Sequence, residues 1–202
     1  MRDLYENGNS KYCYPDSNVL INKLDIKNTK ELQYYEAKIT AAKSLGLRQQ
    51  GITGDFDKKH YLSIHKYLFE DIYPFAGKFR EENISKGEFR FAQWEYIDQE
   101  LEKLLNQLKN ENFLAGLDKE NLAKRLAYYL SELNVLHPFR EGNGRTNREF
   151  IRQLALKNGY VLDLKKVSPK KILEASIESI VDTTKLEKLL GTVLVGDGSQ
   201  SP

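Results

Sequence analysis

Two apolar helical patterns bracket a polar, glycine-rich connector, and this junction limits what the chain can fold into more than any other part of it. Leu122, Leu126, Tyr129, Leu130 and Leu133 share one helical face that runs out near Leu136. Phe150, Ile151, Leu154 and Ala155 resume the pattern until Asn158-Gly159 stops it. Between the two stands LHPFREGNGRTNR, residues 136–148. Pro138 cannot continue a helix with a normal amide bond. Gly142 and Gly144 permit tight backbone geometry and leave little side-chain bulk above the amides. The spacing therefore predicts helix, loop, helix, with the second helix starting near Gly144 to Thr146.

The rest of the chain is read in the same terms. A first helix is expected from about Thr29 to Leu45, with Thr29 as its cap and Gly46 as its stop. A second covers roughly Asp57 to Leu68 before Pro74 and Gly77 interrupt. Residues 78–91 have short extended candidates on either side of Ser85-Lys86-Gly87, which predicts a β-hairpin. Ile97, Leu101, Leu104, Leu105 and Leu108 form a further stripe. Ser168 and Pro169 pair as cap and first-turn residue for a helix over about 169–180. A short last helix is expected from Asp182 or Thr183 to near Leu190, before a polar tail, GDGSQSP, whose composition suits a mobile end. The expected class is mainly α: one domain over residues 1–202, a compact helical bundle with one hairpin.

Composition narrows function by exclusion. With 202 residues, 40% hydrophobic and 30% charged, the chain can bury a core. No apolar run is long enough for a membrane span, and the opening MRDLYENGNSKYCYP has no apolar stretch of the kind a secretory leader carries. The single cysteine, Cys13, cannot form an internal disulfide, which suits a reducing compartment such as a bacterial cytoplasm. A formal charge of +2, with lysines scattered among glutamates, gives no support to a nucleic-acid partner.

The chemistry is concentrated in the connector. A glycine-rich loop that feeds a helix presents unpaired N–H groups to an anion, and the helix dipole adds in the same sense. Arg145 and Arg148, three apart, share a face from which both guanidinium groups can pair with phosphate. Glu141 is the carboxylate inside the loop and would hold a divalent cation against phosphate oxygens. Asn143 can orient an oxygen while its backbone shapes the turn. His137, at a helix end, belongs to the residue type whose charge changes near neutrality and could take a proton from an attacking hydroxyl. Each feature alone also has a structural reading: glycines and arginines at a helix junction, or a histidine cap. The combination favours a site for two or three phosphates. It is not a P-loop, since the lysine and Ser/Thr that follow GxxxxG are missing. His60 and His65, five apart on different helical faces, read as ordinary core or surface residues.

HPFREGNGRTNR resembles the motif of the Fic family, His-x-Phe-x-Asp/Glu-Gly-Asn-Gly-Arg-x-x-Arg. His137, Phe139, Glu141, Gly142, Asn143, Gly144, Arg145 and Arg148 match every specified position. IHKYLFEDIYPFAGKFR at 64–80 and NISKGEFRFA at 83–92 are similar to the segment leading into that family's target-docking flap and to the flap itself. The likeness covers a core of about residues 55–160, with a helical segment over 12–50 before it and helices over about 169–190 after it.

The resemblance implies a Fic fold and adenylylation: transfer of AMP from ATP to a Tyr, Thr or Ser hydroxyl of a target protein, or of the enzyme itself. His137 would be the base and Glu141 the Mg²⁺ ligand. Gly142, Asn143, Gly144 and Arg145 would form the phosphate cradle, and Arg148 would hold the γ-phosphate. Phe139 would anchor the loop. Ile84, Ser85, Lys86, Gly87 and Phe89 would be the flap that pairs with the target's main chain. The same resemblance leaves open a different transferred nucleotide, removal of AMP, a non-catalytic helical binding protein, and homo-oligomers. Many members are held off by a helix with the pattern Ser/Thr-x-x-x-Glu-Gly/Asn. Thr183 to Glu187 matches its first part with Lys188 in the last place, so Glu187 is expected to pair with Arg148.

Overall fold

The computed structural model describes residues 10–52, 54–87 and 89–196. Readings that concern residues 1–9 and 197–202, including most of the polar tail, lie outside them. The chain forms seven α-helices and two short antiparallel strand pairs among the described residues, the mainly helical architecture with a hairpin that the sequence predicts. It resolves into two compact units, Met1–Asp98 with His137–Thr146, and Gln99–Leu136 with Asn147–Pro202.

The first unit is built on α1 (Thr29–Gln50) and α2 (Lys58–Phe69). Asn28, not Thr29, caps α1: its side chain accepts from the N–H groups of Lys30 and Glu31 at 3.0 and 3.1 Å. The helix also runs through Gly46 to Gln50, and Gly51, at φ 68°, ends it. Gly46 serves packing instead of termination, because a β-carbon there would stand 2.5 Å from the Tyr67 hydroxyl of α2. Asp57 caps α2 through the His60 N–H at 2.8 Å. Leu32, Tyr61, Ile64, Leu68, Phe69 and Phe139 are buried in this unit. Strands β1 (Ser85–Lys86) and β2 (Phe89–Arg90) pair with Ser85 opposite Arg90 and Lys86 opposite Phe89. Ser85 and Lys86 thus belong to the ladder, where the sequence placed them at the polar centre, and Gly87 supplies the positive φ of the turn.

The second unit contains α4 (Lys119–Leu136), α6 (Pro169–Glu178) and α7 (Thr184–Val193), packed on one another. α3 (Ile97–Asn110) and α5 (Asn143–Lys157) belong to this unit over most of their length. Ser168 and Pro169 cap and open α6 as predicted. Leu122, Leu126, Leu133, Phe150, Ile151 and Leu154 are buried, as their 3.6-residue period requires. α7 is displaced by a few residues from its expected span, and Leu194–Val195 beyond it forms β4, which pairs with β3 (Val161–Leu162). No turn signal joins strands so far apart in sequence, so that pair was invisible to it.

Candidate active site

α4 ends at Leu136, and His137 turns the chain with a φ of 46°. The left-handed region is costly for a residue with a β-carbon, roughly 1–2 kcal/mol, and histidine is among the types that tolerate it best. The conformation persists because the loop is held from several sides. Arg80, 1% exposed, donates from Nε to the His137 carbonyl at 2.9 Å. Its backbone N–H donates to the Pro138 carbonyl at 2.9 Å. Its remaining guanidinium nitrogens donate to the carbonyls of Glu82 and Ala92, at either end of the hairpin segment. One buried arginine therefore ties the histidine's backbone to the flap.

The flap also reaches the histidine's ring. Phe91 follows β2 and lies on the His137 imidazole, with centroids 3.8 Å apart and planes 22° apart. Phe89 meets Phe91 edge-on at 5.2 Å. Trp94 closes the base of the flap by donating its N–H to Asn83 Oδ1 at 3.0 Å. Ile84 is buried, which leaves Ser85 and Lys86 half-exposed on the first strand.

Beyond His137 the loop is closed on itself. Phe139 is fully buried and stacks on His65, with centroids 3.7 Å apart, and on Tyr61 at 5.4 Å. Asn143 Oδ1 accepts from the Phe139 N–H at 2.8 Å, while Nδ2 donates to the Phe139 carbonyl at 2.7 Å. That reciprocal pair gives the Asn143 side chain a loop-shaping task. Gly142 has a φ of 85°, and a β-carbon on it would stand 2.3 Å from Phe69 Cζ. Its carbonyl accepts from the N–H groups of Arg145 and Thr146, at 3.2 and 3.1 Å, which starts α5. The N–H groups of Asn143 and Gly144 consequently open the helix without an intrahelical acceptor, the arrangement that binds anions.

Glu141 Oε1 accepts from the Gly142 N–H at 2.9 Å and from Arg145 Nη2 at 3.3 Å. His65 fixes the backbone behind it. The Gly77 N–H donates to His65 Nδ1 at 2.8 Å, so the ring proton sits on Nε2, which donates to the Glu141 carbonyl at 2.9 Å. Burial holds this imidazole neutral, pulling its pKa from 6.5 down to about 3; the nearby Arg145 charge adds in the same direction. His65 is thus a structural link between the loop and the segment that leads into the flap, a role its sequence position does not reveal. His60 is the plain core residue expected, bonded to the Phe56 N–H and the Ile52 carbonyl.

The first unit therefore brings together His137, Glu141, Gly142, Asn143, Gly144 and Arg145 on one loop, with the flap against His137. Arg148 follows on α5 and is half-buried. Glu187 behaves differently from expectation. Its carboxylate accepts from Thr183 Oγ1 at 2.5 Å and lies in the field of Lys124. Lys124 sits in the amino-terminal half of α4, about 18 Å along the helix from Leu136. Arg148 belongs near the other end of α4, where neighbouring Asn147 donates to Asn134 at 2.9 Å. The pairing of Glu187 with Arg148 is not among the contacts Glu187 makes, because the packing of α7 sets it too far along α4. Among the described residues no group of three or more His, Cys, Asp or Glu side chains could hold a metal by itself, and no helix is long and apolar enough to cross a membrane.

A helical unit whose histidine-led loop feeds a helix amino end, beside a short hairpin, is the architecture of the Fic/DOC family. Residues 55–155 match that family's profile, and the chain belongs to it. It is 41% identical over 186 residues to the protein adenylyltransferase VbhT of Bartonella schoenbuchensis, covering 92% of this chain and 39% of that protein. It is 39% identical over 168 residues to the probable protein adenylyltransferase y4lH of Sinorhizobium fredii, covering 83% and 86% of the two. Among solved structures, BepC of Bartonella tribocorum with bound AMPPNP superposes with a TM-score of 0.86 at 25% identity, over 92% of this chain and 97% of that one. The chain thus spans well under half of VbhT and most of y4lH.

Proposed function

We propose that this chain transfers AMP from ATP to a hydroxyl group of a protein. The observation that carries the reading is the single loop on which His137, the open amino end of α5 and Arg145 are assembled, with Phe91, just past the β1–β2 strand pair, lying against the histidine. The adenylyltransferase names of VbhT and y4lH, and the ATP analogue in BepC, support it.

In the proposed reaction a Tyr, Thr or Ser side chain of the target, paired by its main chain with the flap over Ile84 to Phe89, presents its hydroxyl to His137. The imidazole accepts the hydroxyl proton as the oxygen attacks the α-phosphorus. The bond from that phosphorus to the β-bridging oxygen breaks, and pyrophosphate leaves with its electron pair. The N–H groups at the start of α5 and the Arg145 guanidinium face the phosphates, and Arg148 holds the γ-phosphate. Their contribution is positioning and charge stabilisation, the main terms in phosphoryl-type transfer. Glu141 fits a Mg²⁺ role by donor chemistry, since this ion is commonly bound by one or two carboxylates together with substrate phosphates. When bound, it would neutralise charge on the substrate phosphates.

The test is labelling of host lysate and of the protein itself with α-³²P-ATP, beside the other α-labelled nucleotides. Label should follow ATP and should fall by about 100-fold or more in His137→Ala, the range a general base supplies. Equal labelling by parent and variant, or preference for another nucleotide, would overturn the assignment.

A further inference from the structure

Glu36 lies on α1, far in sequence from the motif, and is 6% exposed. Both oxygens of its carboxylate are engaged. Oε1 accepts from Arg145 Nη2 at 2.7 Å, and Oε2 accepts from the Tyr73 hydroxyl. Thr40, one turn further along α1, accepts from Arg145 Nη1 at 3.2 Å and donates its own hydroxyl proton to the Glu36 carbonyl at 2.8 Å. The Phe69 ring lies under the guanidinium, 4.7 Å from its carbon to the centroid. Arg145 is therefore fixed from one side by Glu36 and Thr40, from below by Phe69, and from the loop by Glu141 at 3.3 Å.

We propose that Glu36 is a positioning residue for nucleotide binding, acting through Arg145. The inference rests on the reading of Arg145 as a phosphate ligand. A guanidinium has five donors on a rigid planar fork, so fixing one edge aims the other. Thr40 engages one Nη1 donor while Glu36 and Glu141 take the Nη2 donors, which fixes the guanidinium plane and leaves the Nε–H for an anion. Without the Glu36 charge, Arg145 has only Glu141 as a carboxylate partner. It would then swing toward the carboxylate proposed for the metal and away from the phosphates. An inhibitory role for the same pair fits the geometry less well. A contact that must open to admit substrate would not be anchored by a buried tyrosine hydroxyl on its far oxygen, nor backed by Thr40 on the same helix. The same anchoring argues against Glu36 as a second metal ligand for AMP removal.

The experiment is MgATP binding by calorimetry on four proteins: the parent, Glu36→Gln, Arg145→Ala and the double variant, with labelling rates measured beside it. The parent must bind and label first. A parent that binds no ATP would defeat the functional reading itself, a different failure from one at Glu36. Given a binding parent, Glu36→Gln should weaken MgATP about tenfold and lower kcat/KM at least as much, while the double variant should match Arg145→Ala within about twofold. Unchanged affinity in Glu36→Gln, a further loss in the double variant, or a rise in labelling would each overturn the proposal. If Glu36→Gln fails to fold by circular dichroism, Tyr73→Phe takes its place. That variant loosens the carboxylate and should weaken MgATP about threefold, and an unchanged affinity would count against the role of Glu36.

Discussion

The Phe91 ring lies on the His137 imidazole, 3.8 Å between centroids, so the segment proposed to present the target also sets the orientation of the proposed base. In the proposed reaction docking and proton transfer would be coupled through this aromatic contact. A base that swings freely would meet the incoming hydroxyl at the wrong angle much of the time.

Replacing Phe91 by Ala removes that restraint while leaving the β1–β2 pairing in place. Labelling under single-turnover conditions should slow by roughly 10- to 100-fold, as a misplacement of about 1 Å does. Phe91→Tyr keeps the ring and should stay within about threefold of the parent. An Ala variant that labels at the parent rate would show that the stack does not orient the base.

Arg80 makes a different prediction, in stability. Its guanidinium serves the carbonyls of His137, Glu82 and Ala92 from a position 1% exposed. Arg80→Met keeps the stem and strands those acceptors. With about 1–3 kcal/mol for each acceptor left unsatisfied, the loss should be about 3 kcal/mol or more by urea denaturation. A loss below about 1 kcal/mol would mean that the carbonyls find other donors and that Arg80 does not hold the loop.

Gly142→Ala tests the shape of the anion loop. The backbone there has a φ of 85°, and the added carbon would meet Phe69 Cζ at 2.3 Å. Conformational strain alone costs about 1–3 kcal/mol, and the ring beneath must also move. Melting temperature and MgATP affinity should therefore fall together. A variant with parental melting and parental affinity would contradict both the strain and the contact.

What the sequence revealed and what it hid divide along the range of the interaction. His137 to Arg145 could be picked out because helix patterns, glycines and polar groups of the loop are adjacent in the chain, and the loop's conformation depends on those neighbours. The residues that hold the loop carry no such mark. Arg80 meets His137 across 57 positions, His65 meets Glu141 across 76, and Glu36 meets Arg145 across 109. Each looks like an ordinary helix or loop residue until the chain is folded. Helix ends erred for a related reason: Gly46 reads locally as a stop, but the approach of Tyr67 makes it a packing residue inside α1. Glu187 erred the other way, since a loose local pattern suggested a partner that the packing of α7 sets elsewhere.

His65 should leave a signature in the pH dependence of stability. Its pKa is depressed in the fold, to about 3 against 6.5 in the unfolded chain. The unfolded state therefore takes up a proton at a pH where the folded state does not. The contribution of the neutral ring is complete above about pH 6.5 and is lost progressively as the pH falls from there toward 3. The slope approaches about 1.4 kcal/mol per pH unit, and about 1.4 kcal/mol should be gone at pH 5.5. Urea midpoints of the parent and of His65→Gln, measured from pH 7.5 to 4.5, separate this from the carboxylates, which titrate in both proteins. The variant should be less stable at pH 7.5, having lost a ring that stacks on Phe139 and bridges Gly77 to Glu141. Its stability should nevertheless decline less steeply with acid, so the gap between the two proteins narrows as the pH drops. Parallel curves would mean that His65 protonates as readily in the folded protein as in the unfolded one, and that the Gly77–His65–Glu141 bridge does not require a neutral ring.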